Sequence, residues 1–291
     1  MFPTLLQIGS VKIITFPVVL FFALIFGIFL FWREVRREYF DEIEIFDLSL
    51  VLILGMVLGG KIFEFSLSVV RFGLVFAFFR FWNEFGSFSF WGAIIGAAVA
   101  AWLFSRSRDW HFFAILDFGA IAASGALVLV WLGNLLGGSA YGVMTNSAWG
   151  ISSPYLLGRR QPTQVLGIAI FLLIFLILKR FTKRVHFEGF YISWFLILSS
   201  VSLFFVEFLR GDSVYLSTVR VNQIFSVGFF IFGVLTFYNR SKRSFLSDLR
   251  MIPIFCFGCA KAGYLSGKRV IFNLRISAKY KFLSLRRRQL K

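Results

Sequence analysis

Charged side chains are scarce in this chain of 291 residues, at 15% of the sequence, and only 14 residues are acidic. A soluble domain usually carries about 25% charged residues, so this composition excludes an ordinary soluble fold. Hydrophobic residues make up 58% of the chain, and they gather in runs close to the roughly 20 residues that cross a bilayer core. The chain is therefore predicted to be an integral membrane protein.

Cysteine occurs only twice, as Cys256 and Cys259 in a single Cys-x-x-Cys. A structural zinc site needs four ligands, and the two histidines, His111 and His186, lie elsewhere in the sequence. Two ordinary thiols are therefore expected. No metal site and no cofactor are predicted.

Seven apolar runs predict an all-α polytopic fold of about seven transmembrane helices. The second run is the weakest because Lys61 and Glu64 interrupt it. The predicted spans are approximately 13–32, 48–70, 88–104, 113–136, 165–181, 188–209 and 221–238. Residues 1–238 are expected to form the transmembrane domain, and residues 239–291 a separate basic tail.

The net charge of +17 is distributed unevenly along the chain. Of the 31 Lys and Arg residues, 23 fall in the tail and in the connections after the first, third and fifth spans. Because the basic side of a membrane protein faces the cytoplasm, the N-terminus is expected outside and the C-terminus inside. The charge thus predicts topology and contact with anionic membrane lipids, and no nucleic-acid partner.

A glycine-rich loop follows the fourth span and reads Gly-Asn-Leu-Leu-Gly-Gly-Ser-Ala-Tyr-Gly from Gly133 to Gly142. Glycine allows the backbone to approach a ligand closely. Irregular backbone at membrane depth is tolerated only where it is buried or lines a polar cavity. The loop is therefore a predicted ligand site on the outer side.

Other polar residues are expected at the same side of the membrane. Glu207 and Arg210 lie three residues apart and share a helix face, so they form either a self-satisfied ion pair or an anion-binding Arg held by Glu207. The planar guanidinium of Arg suits phosphate, which makes an anionic phospholipid headgroup the predicted ligand. Further polar residues assigned to this side are Lys61, Glu64, Arg159, Arg160, Gln161, Thr163, Gln164, Asn222 and Gln223. Gly92 and Gly96, in the third span, are expected to allow close helix packing.

Six segments resemble motifs of the prolipoprotein diacylglyceryl transferase family, in matching order over roughly residues 10–240. Trp91-Gly-Ala-Ile-Ile-Gly96 is similar to the family's His-Gly-Gly-Leu-Ile-Gly box, and Val206-Glu-Phe-Leu-Arg210 with Asp212 to its Val-Glu-Phe-Phe-Arg. Arg160-Gln-Pro-Thr-Gln164 is similar to its Arg-His-Pro-Ser-Gln. The other three segments are Asp117-Phe118, residues 130–139 with Gly142, and residues 222–226.

The resemblance implies transfer of the diacylglyceryl group of phosphatidylglycerol to the lipobox cysteine thiol of a preprolipoprotein. The implied partners are phosphatidylglycerol, preprolipoprotein signal peptides and membrane lipids. The implied place is the cytoplasmic (inner) membrane, with the site facing the outer leaflet. Arg210 is the implied catalytic residue, supported by Glu207. The implied substrate-binding residues are Lys61, Trp91, Trp131, Gly133, Asn134, Gly138, Gly142, Arg160, Gln164 and Gln223.

Two tryptophans depart from the family pattern. Trp91 stands where the family has its box His, and Trp131 stands where it has an Arg. Tryptophan neither accepts a proton from a thiol nor carries a charge. Two alternatives therefore stand beside a divergent transferase. One is a catalytically silent relative that binds anionic lipid or lipopeptide, with the tryptophans as aromatic walls, and the other is an unrelated channel or transporter.

Overall fold

The computed structural model of the chain describes residues 4–8, 11–36, 42–83, 89–108, 110–152, 157–184, 186–216 and 218–241. Its helices are α1 (Thr15–Val35), α2 (Glu42–Phe72), α3 (Leu74–Asn83), α4 (Phe90–Arg108), α5 (Phe112–Gly137), α6 (Thr163–Phe181), α7 (Phe190–Leu209) and α8 (Val221–Ser241). Its strands are β1 (Thr4–Ile8), β2 (Val11–Ile14), β3 (Ile151–Ser152), β4 (Arg159–Arg160), β5 (Tyr215–Leu216) and β6 (Val219–Arg220), paired in sequence as three antiparallel sheets. The part of the predicted tail beyond Ser241 lies outside the described residues, and so do Cys256 and Cys259.

All the described helices except α3 are long and apolar enough to cross a membrane, which gives seven candidate spans. The predicted all-α polytopic fold is thereby confirmed. The second span differs most from its prediction, because α2 begins at Glu42 and runs for 31 residues. The acidic residues near Glu42 had kept this segment out of the predicted span. In the structure, Ile45 and Leu48 in the first turns of α2 are fully buried, so their packing stabilises the longer helix.

Helix α5 lies at the centre of the bundle, where it contacts α1, α4, α6 and α7. One apolar cluster joins α5 to α6 and α7, with Phe171 and Phe195 among its buried members. A second joins α5 to α1, α2 and α4 through residues such as Leu30 and Ala101. Small side chains let α5 accept neighbours on several sides, and the buried ones are Ala120, Ala122, Ser124, Gly125 and Gly133.

Asp117 of α5 holds the start of α7. Its carboxylate accepts hydrogen bonds from the backbone N–H groups of Gly189 and Ile192, at 2.7 and 2.8 Å. The first N–H groups of a helix have no partner inside the helix, and negative charge is favourable at that end. The buried carboxylate therefore sets the register of α7 against α5, which in turn positions the far end of α7.

Helix α3 and the β5–β6 hairpin are structural elements that the sequence analysis does not predict. Gly73 adopts φ 83°, which ends α2 and turns the chain into α3. Helix α3 exposes apolar side chains such as Val75 and Phe79. At the end of α2, Arg71 donates from Nη2 to the carbonyl oxygen of Tyr215 at 3.0 Å. This bond joins the α2–α3 corner to the connection between α7 and α8.

Helices α2 and α4 cross with their backbones in contact. A Cβ added at Gly96 would lie 2.0 Å from the carbonyl oxygen of Gly55, and one at Gly59 would lie 2.5 Å from the carbonyl oxygen of Gly92. Because the two glycines of each helix are four residues apart, they share one face. The predicted packing role of Gly92 and Gly96 is confirmed.

Replacing Gly96 with alanine is expected to lower the free energy of unfolding by about 1–3 kcal/mol, because the new methyl group overpacks a backbone contact. The matched control is Gly228→Ala in α8, where an added Cβ meets nothing within 4 Å. That change is expected to be neutral or stabilising, since alanine favours helix by up to about 1 kcal/mol over glycine. Thermal unfolding of the two purified variants in detergent measures the difference. Equal midpoints would contradict the prediction.

Candidate functional site at the glycine loop

The glycine loop, residues 133–142, begins as an intact helix end. Helix α5 continues to Gly137, and Gly138 adopts the left-handed conformation with φ 77°. The carbonyl oxygen of Asn134 accepts from the backbone N–H groups of Gly138 and Ser139, and its side-chain oxygen accepts from the Ser139 hydroxyl at 2.8 Å. Asn134 therefore closes the reversal of the chain in this structure, while contact with a lipid headgroup stays a prediction.

Beyond this reversal, the chain forms a short extended segment that pairs with another segment on each side. On one side, the Val143 N–H donates to the carbonyl of Leu209 and the Gly211 N–H to that of Tyr141, both at 2.9 Å. On the other side, the Gln161 N–H donates to the carbonyl of Val143 at 3.0 Å. We call this arrangement of residues 141–145, 159–161 and 209–211 the three-strand patch. It brings the α5–α6 connection and the end of α7 together.

Gly142 occupies the most crowded position of the three-strand patch. A Cβ added there would lie 2.4 Å from the carbonyl oxygen of Gln161. A Cβ at Gly211 would lie 2.8 Å from the carbonyl oxygen of Gly142. Close backbone approach therefore requires glycine at position 142, and this requirement accounts for part of the glycine content of the loop.

The three-strand patch places two arginines on one face. Met144 lies opposite Arg160, and Gly142 lies opposite Arg210. Residues opposite one another in an antiparallel ladder share a face, as do residues two apart along a strand. Arg160 and Arg210 therefore flank the bare backbone of Gly142, whereas Arg159 belongs to the opposite face.

The two arginines differ in their partners. Arg210 donates from Nε to Asp212 at 2.9 Å and from Nη1 to Glu207 at 3.4 Å. Burial alone would lower the pKa of Arg210, but the hydrogen bond and charge of Asp212, together with Glu207, raise this pKa above its usual value. Arg160 lies 5.1 Å from the centre of the Tyr141 ring, and among the described residues no carboxylate forms an ion pair with it.

Glu207 is 2% exposed and lies at the centre of a network that also includes α8. Its Oε2 atom accepts from Asn222 Nδ2 at 3.1 Å as well as from Arg210. Arg220 donates from Nη1 to the backbone carbonyl of Glu207. The i, i+3 pair predicted from sequence is therefore present, and Arg220 is an additional contact. The only feature of the sequence that pointed to Arg220 was its positive charge just before the last span.

Two residues at the start of α6 hold the glycine loop in place. Gln164 is 1% exposed, and its Nε2 donates to the carbonyl oxygen of Ser139 at 3.0 Å. Thr163 donates to the carbonyl oxygen of Ala140 at 2.6 Å. Ala140 has φ 51°, a left-handed conformation that costs free energy in any residue with a Cβ. In this structure both side chains position the strained loop; the sequence assigned Thr163 to this side of the membrane but gave it no role.

Trp91 and Trp131 are packed inside the bundle. Trp91 is 2% exposed and stacks on Phe229, with ring centres 4.7 Å apart. Trp131 is 7% exposed and stacks on Phe171 at 6.4 Å. A Cβ at Gly167 would lie 2.1 Å from the Trp131 ring, so the missing side chain of Gly167 makes the space for the indole. Both tryptophan side chains therefore pack against other side chains of the bundle and do not form the aromatic walls of an open cavity.

The remaining predicted residues lie on different elements. Gly133 faces α1, where an added Cβ would lie 3.2 Å from Val19. Lys61 is half-buried on α2, with its ammonium 5.6 Å from the Phe81 ring of α3. Gln223 lies in the first turn of α8. Within the described part of the chain, no three His, Cys, Asp or Glu residues are grouped as metal ligands.

Replacing Thr163 with valine is expected to destabilise the glycine loop, because the Ala140 carbonyl loses a buried partner at a cost of about 1–3 kcal/mol. Hydrogen exchange of the backbone amides of residues 138–142 should become faster. The control is Thr182→Val, which removes a similar bond to the carbonyl of Lys179 at the other end of α6. Unchanged exchange in the Thr163 variant would show that this hydroxyl does not hold the loop.

Comparison with known proteins bears on the whole membrane region. The family model for prolipoprotein diacylglyceryl transferase matches residues 3–239. A phosphatidylglycerol–prolipoprotein diacylglyceryl transferase of Finegoldia magna is 26% identical over 248 residues, which cover 83% of this chain and 97% of the relative. The transferase of Clostridium tetani is 26% identical over 249 residues, covering 80% of this chain and 97% of the relative.

A third relative, from Aeromonas hydrophila, bears the same name and is 27% identical over 254 residues. These residues cover 83% of this chain and 91% of the relative. A match across almost the whole membrane region excludes coincidence as the source of the motifs, and with it the interpretation as an unrelated channel or transporter. The chain belongs to the prolipoprotein diacylglyceryl transferase family.

Proposed function

We propose that this protein transfers the diacylglyceryl group of phosphatidylglycerol to the lipobox cysteine thiol of a preprolipoprotein. Family membership supports the reaction, and the names of the relatives supply the lipid and the acceptor. The single observation that carries the proposal is the pair of arginines, Arg160 and Arg210, on one face of the three-strand patch. The planar guanidinium groups of these arginines suit the phosphate of a lipid headgroup.

The proposed site faces the outer leaflet of the cytoplasmic membrane. The excess of Lys and Arg in the tail and in the connections after α1, α4 and α6 supports a cytoplasmic location for those segments. Helix α5 then ends outside, and α7 ends on the same side. Preprolipoprotein signal peptides reach that leaflet with their cysteine near the membrane surface, where phosphatidylglycerol is also present.

In the proposed reaction, the cysteine sulfur attacks the carbon of the diacylglyceryl group that is bonded to the phosphate oxygen. A carbon–sulfur bond forms, the carbon–oxygen bond to phosphate breaks, and glycerol phosphate leaves with the electron pair. Negative charge grows on the departing phosphate, so Arg210 and Arg160 favour the transition state. The thiol proton is lost to solvent, and the positive charge of Arg160, which pairs with no carboxylate among the described residues, increases the thiolate fraction of a cysteine nearby.

A second candidate function is binding of anionic lipid or lipopeptide without turnover. The specific observation in its favour is the packing of Trp91 and Trp131, which fill apolar positions where the family motifs carry His and Arg. Neither indole accepts a proton from a thiol. This candidate keeps the same phosphate contacts and differs only in the absence of product.

Arg160→Gln is expected to lower the rate of transfer to a lipobox peptide by about a hundredfold, the usual effect of removing one charge-stabilising donor. Arg210→Ala is expected to abolish transfer. The matched control is Arg159→Gln, which removes the same charge one residue away on the opposite face, and its rate should change little. The assay measures thioether product from phosphatidylglycerol in proteoliposomes.

Three results separate the two candidate functions. Transfer that falls in the Arg160 variant and persists in the Arg159 variant supports the transferase. Binding of phosphatidylglycerol by the wild type, without product, supports the silent relative. Equal loss in both arginine variants would contradict a specific phosphate site and point to a general effect of charge.

The proposed orientation predicts which positions react from outside the cell. In a chain whose Cys256 and Cys259 are replaced by serine, a cysteine at exposed Ser139 should react with a membrane-impermeant maleimide in intact cells. A cysteine at Lys183, in the α6–α7 connection, should react only after the membrane is made permeable. The reverse pattern would invert the topology and place the site at the cytoplasmic face.

A further inference from the structure

Three polar atoms of the site are buried without a hydrogen-bond partner among the described residues: Arg160 Nε, Glu207 Oε1 and Gln223 Nε2. Glu207 Oε1, at the end of α7, is an acceptor, and Gln223 Nε2, at the start of α8, is a donor. Native proteins rarely leave buried polar atoms unpaired, because each costs about 1–3 kcal/mol. Such atoms therefore point to a partner that the described residues do not supply.

Glu207 Oε1 and Gln223 Nε2 belong to neighbouring parts of one network. Asn222 Nδ2 donates to Oε2 of Glu207, and Gln223 is the next residue of α8. Arg210 also donates to Oε2, and Arg220 donates to the Glu207 backbone carbonyl. The Glu207 carboxylate is thus held by one of its oxygens, and the other oxygen, in a side chain only 3% exposed, has no partner among the described residues.

We propose that these two atoms form a hydroxyl subsite for the headgroup of the lipid substrate. A hydroxyl group is both donor and acceptor, so one headgroup hydroxyl satisfies Glu207 Oε1 as a donor and Gln223 Nε2 as an acceptor. This inference rests on the proposed function, because it takes the phosphate of the same lipid to lie against Arg160 and Arg210. It makes Glu207 a residue that selects among anionic lipids by their headgroup.

The chemistry of the subsite separates lipids that carry the same charge. Phosphatidylglycerol and phosphatidylmethanol are both phosphodiesters with one negative charge, and only the first has headgroup hydroxyls. A hydrogen bond to a charged acceptor is worth about tenfold or more in affinity. The wild-type chain is therefore expected to bind phosphatidylglycerol at least about tenfold more tightly than phosphatidylmethanol.

The test is a titration of the purified full chain with each lipid, followed by native mass spectrometry of the complexes. In Glu207→Gln, an amide that keeps its oxygen toward Arg210 and Asn222 presents a donor where Oε1 was. The preference for phosphatidylglycerol should then fall several-fold, because the charged acceptor is lost while Gln223 still donates to the hydroxyl oxygen. Gln223→Leu should reduce the preference several-fold. The ratio of the two affinities is the readout, since a general change in folding or in Arg210 alters both affinities together.

Two further variants serve as controls. Glu188→Gln removes a carboxylate at the other end of α7, beside His111, and should leave the preference unchanged. Arg160→Gln should weaken both lipids alike, because it acts on the shared phosphate.

Equal binding of the two lipids by the wild type overturns the hydroxyl subsite and leaves the phosphate site standing. A preference that survives in both the Glu207 and the Gln223 variants also overturns it. Failure of the wild type to bind either lipid overturns the proposed function together with this inference.

Discussion

Backbone pairing on both sides of Gly142 is the constraint on which the rest of the site depends. It joins the end of α7 to the connection between α5 and α6, and it pairs the backbone groups that follow these helix ends. A side chain at position 142 would collide with the neighbouring strand, so the segments pair closely and Gly142 is buried between them. Arg160 and Arg210 lie on the strands to either side of it.

The sequence predicts the spans well because a bilayer demands about 20 apolar residues in succession. It also predicts the Glu207–Arg210 pair, which a helix brings together through its own period. It does not predict the contacts of Thr163 and Arg220, because these side chains bond backbone carbonyls 23 and 13 residues away, and only the fold brings those residues together. Helix α3 is missed because ten residues are too few for a span.

Trp131, which the motif resemblance sets against an Arg of the family, fits its surroundings in this chain. The indole lies in a space made by Gly167 and against Phe171, so its neighbours fit it. Trp91 has a similar fit against Phe229. Both positions have become part of the apolar core, and the remaining polar chemistry is concentrated at Arg160, Glu207 and Arg210.

The length of α2 has a mechanical consequence. At 1.5 Å per residue, its 31 residues extend over about 47 Å, well beyond a hydrocarbon layer of about 30 Å. The helix must tilt steeply or project past the lipid tails, and the balance between the two depends on bilayer thickness. Arg71 at its end is bonded to Tyr215 in the connection before α8. Lipid chain length is thereby coupled, through a single rigid rod, to the segment that precedes Asn222 and Gln223.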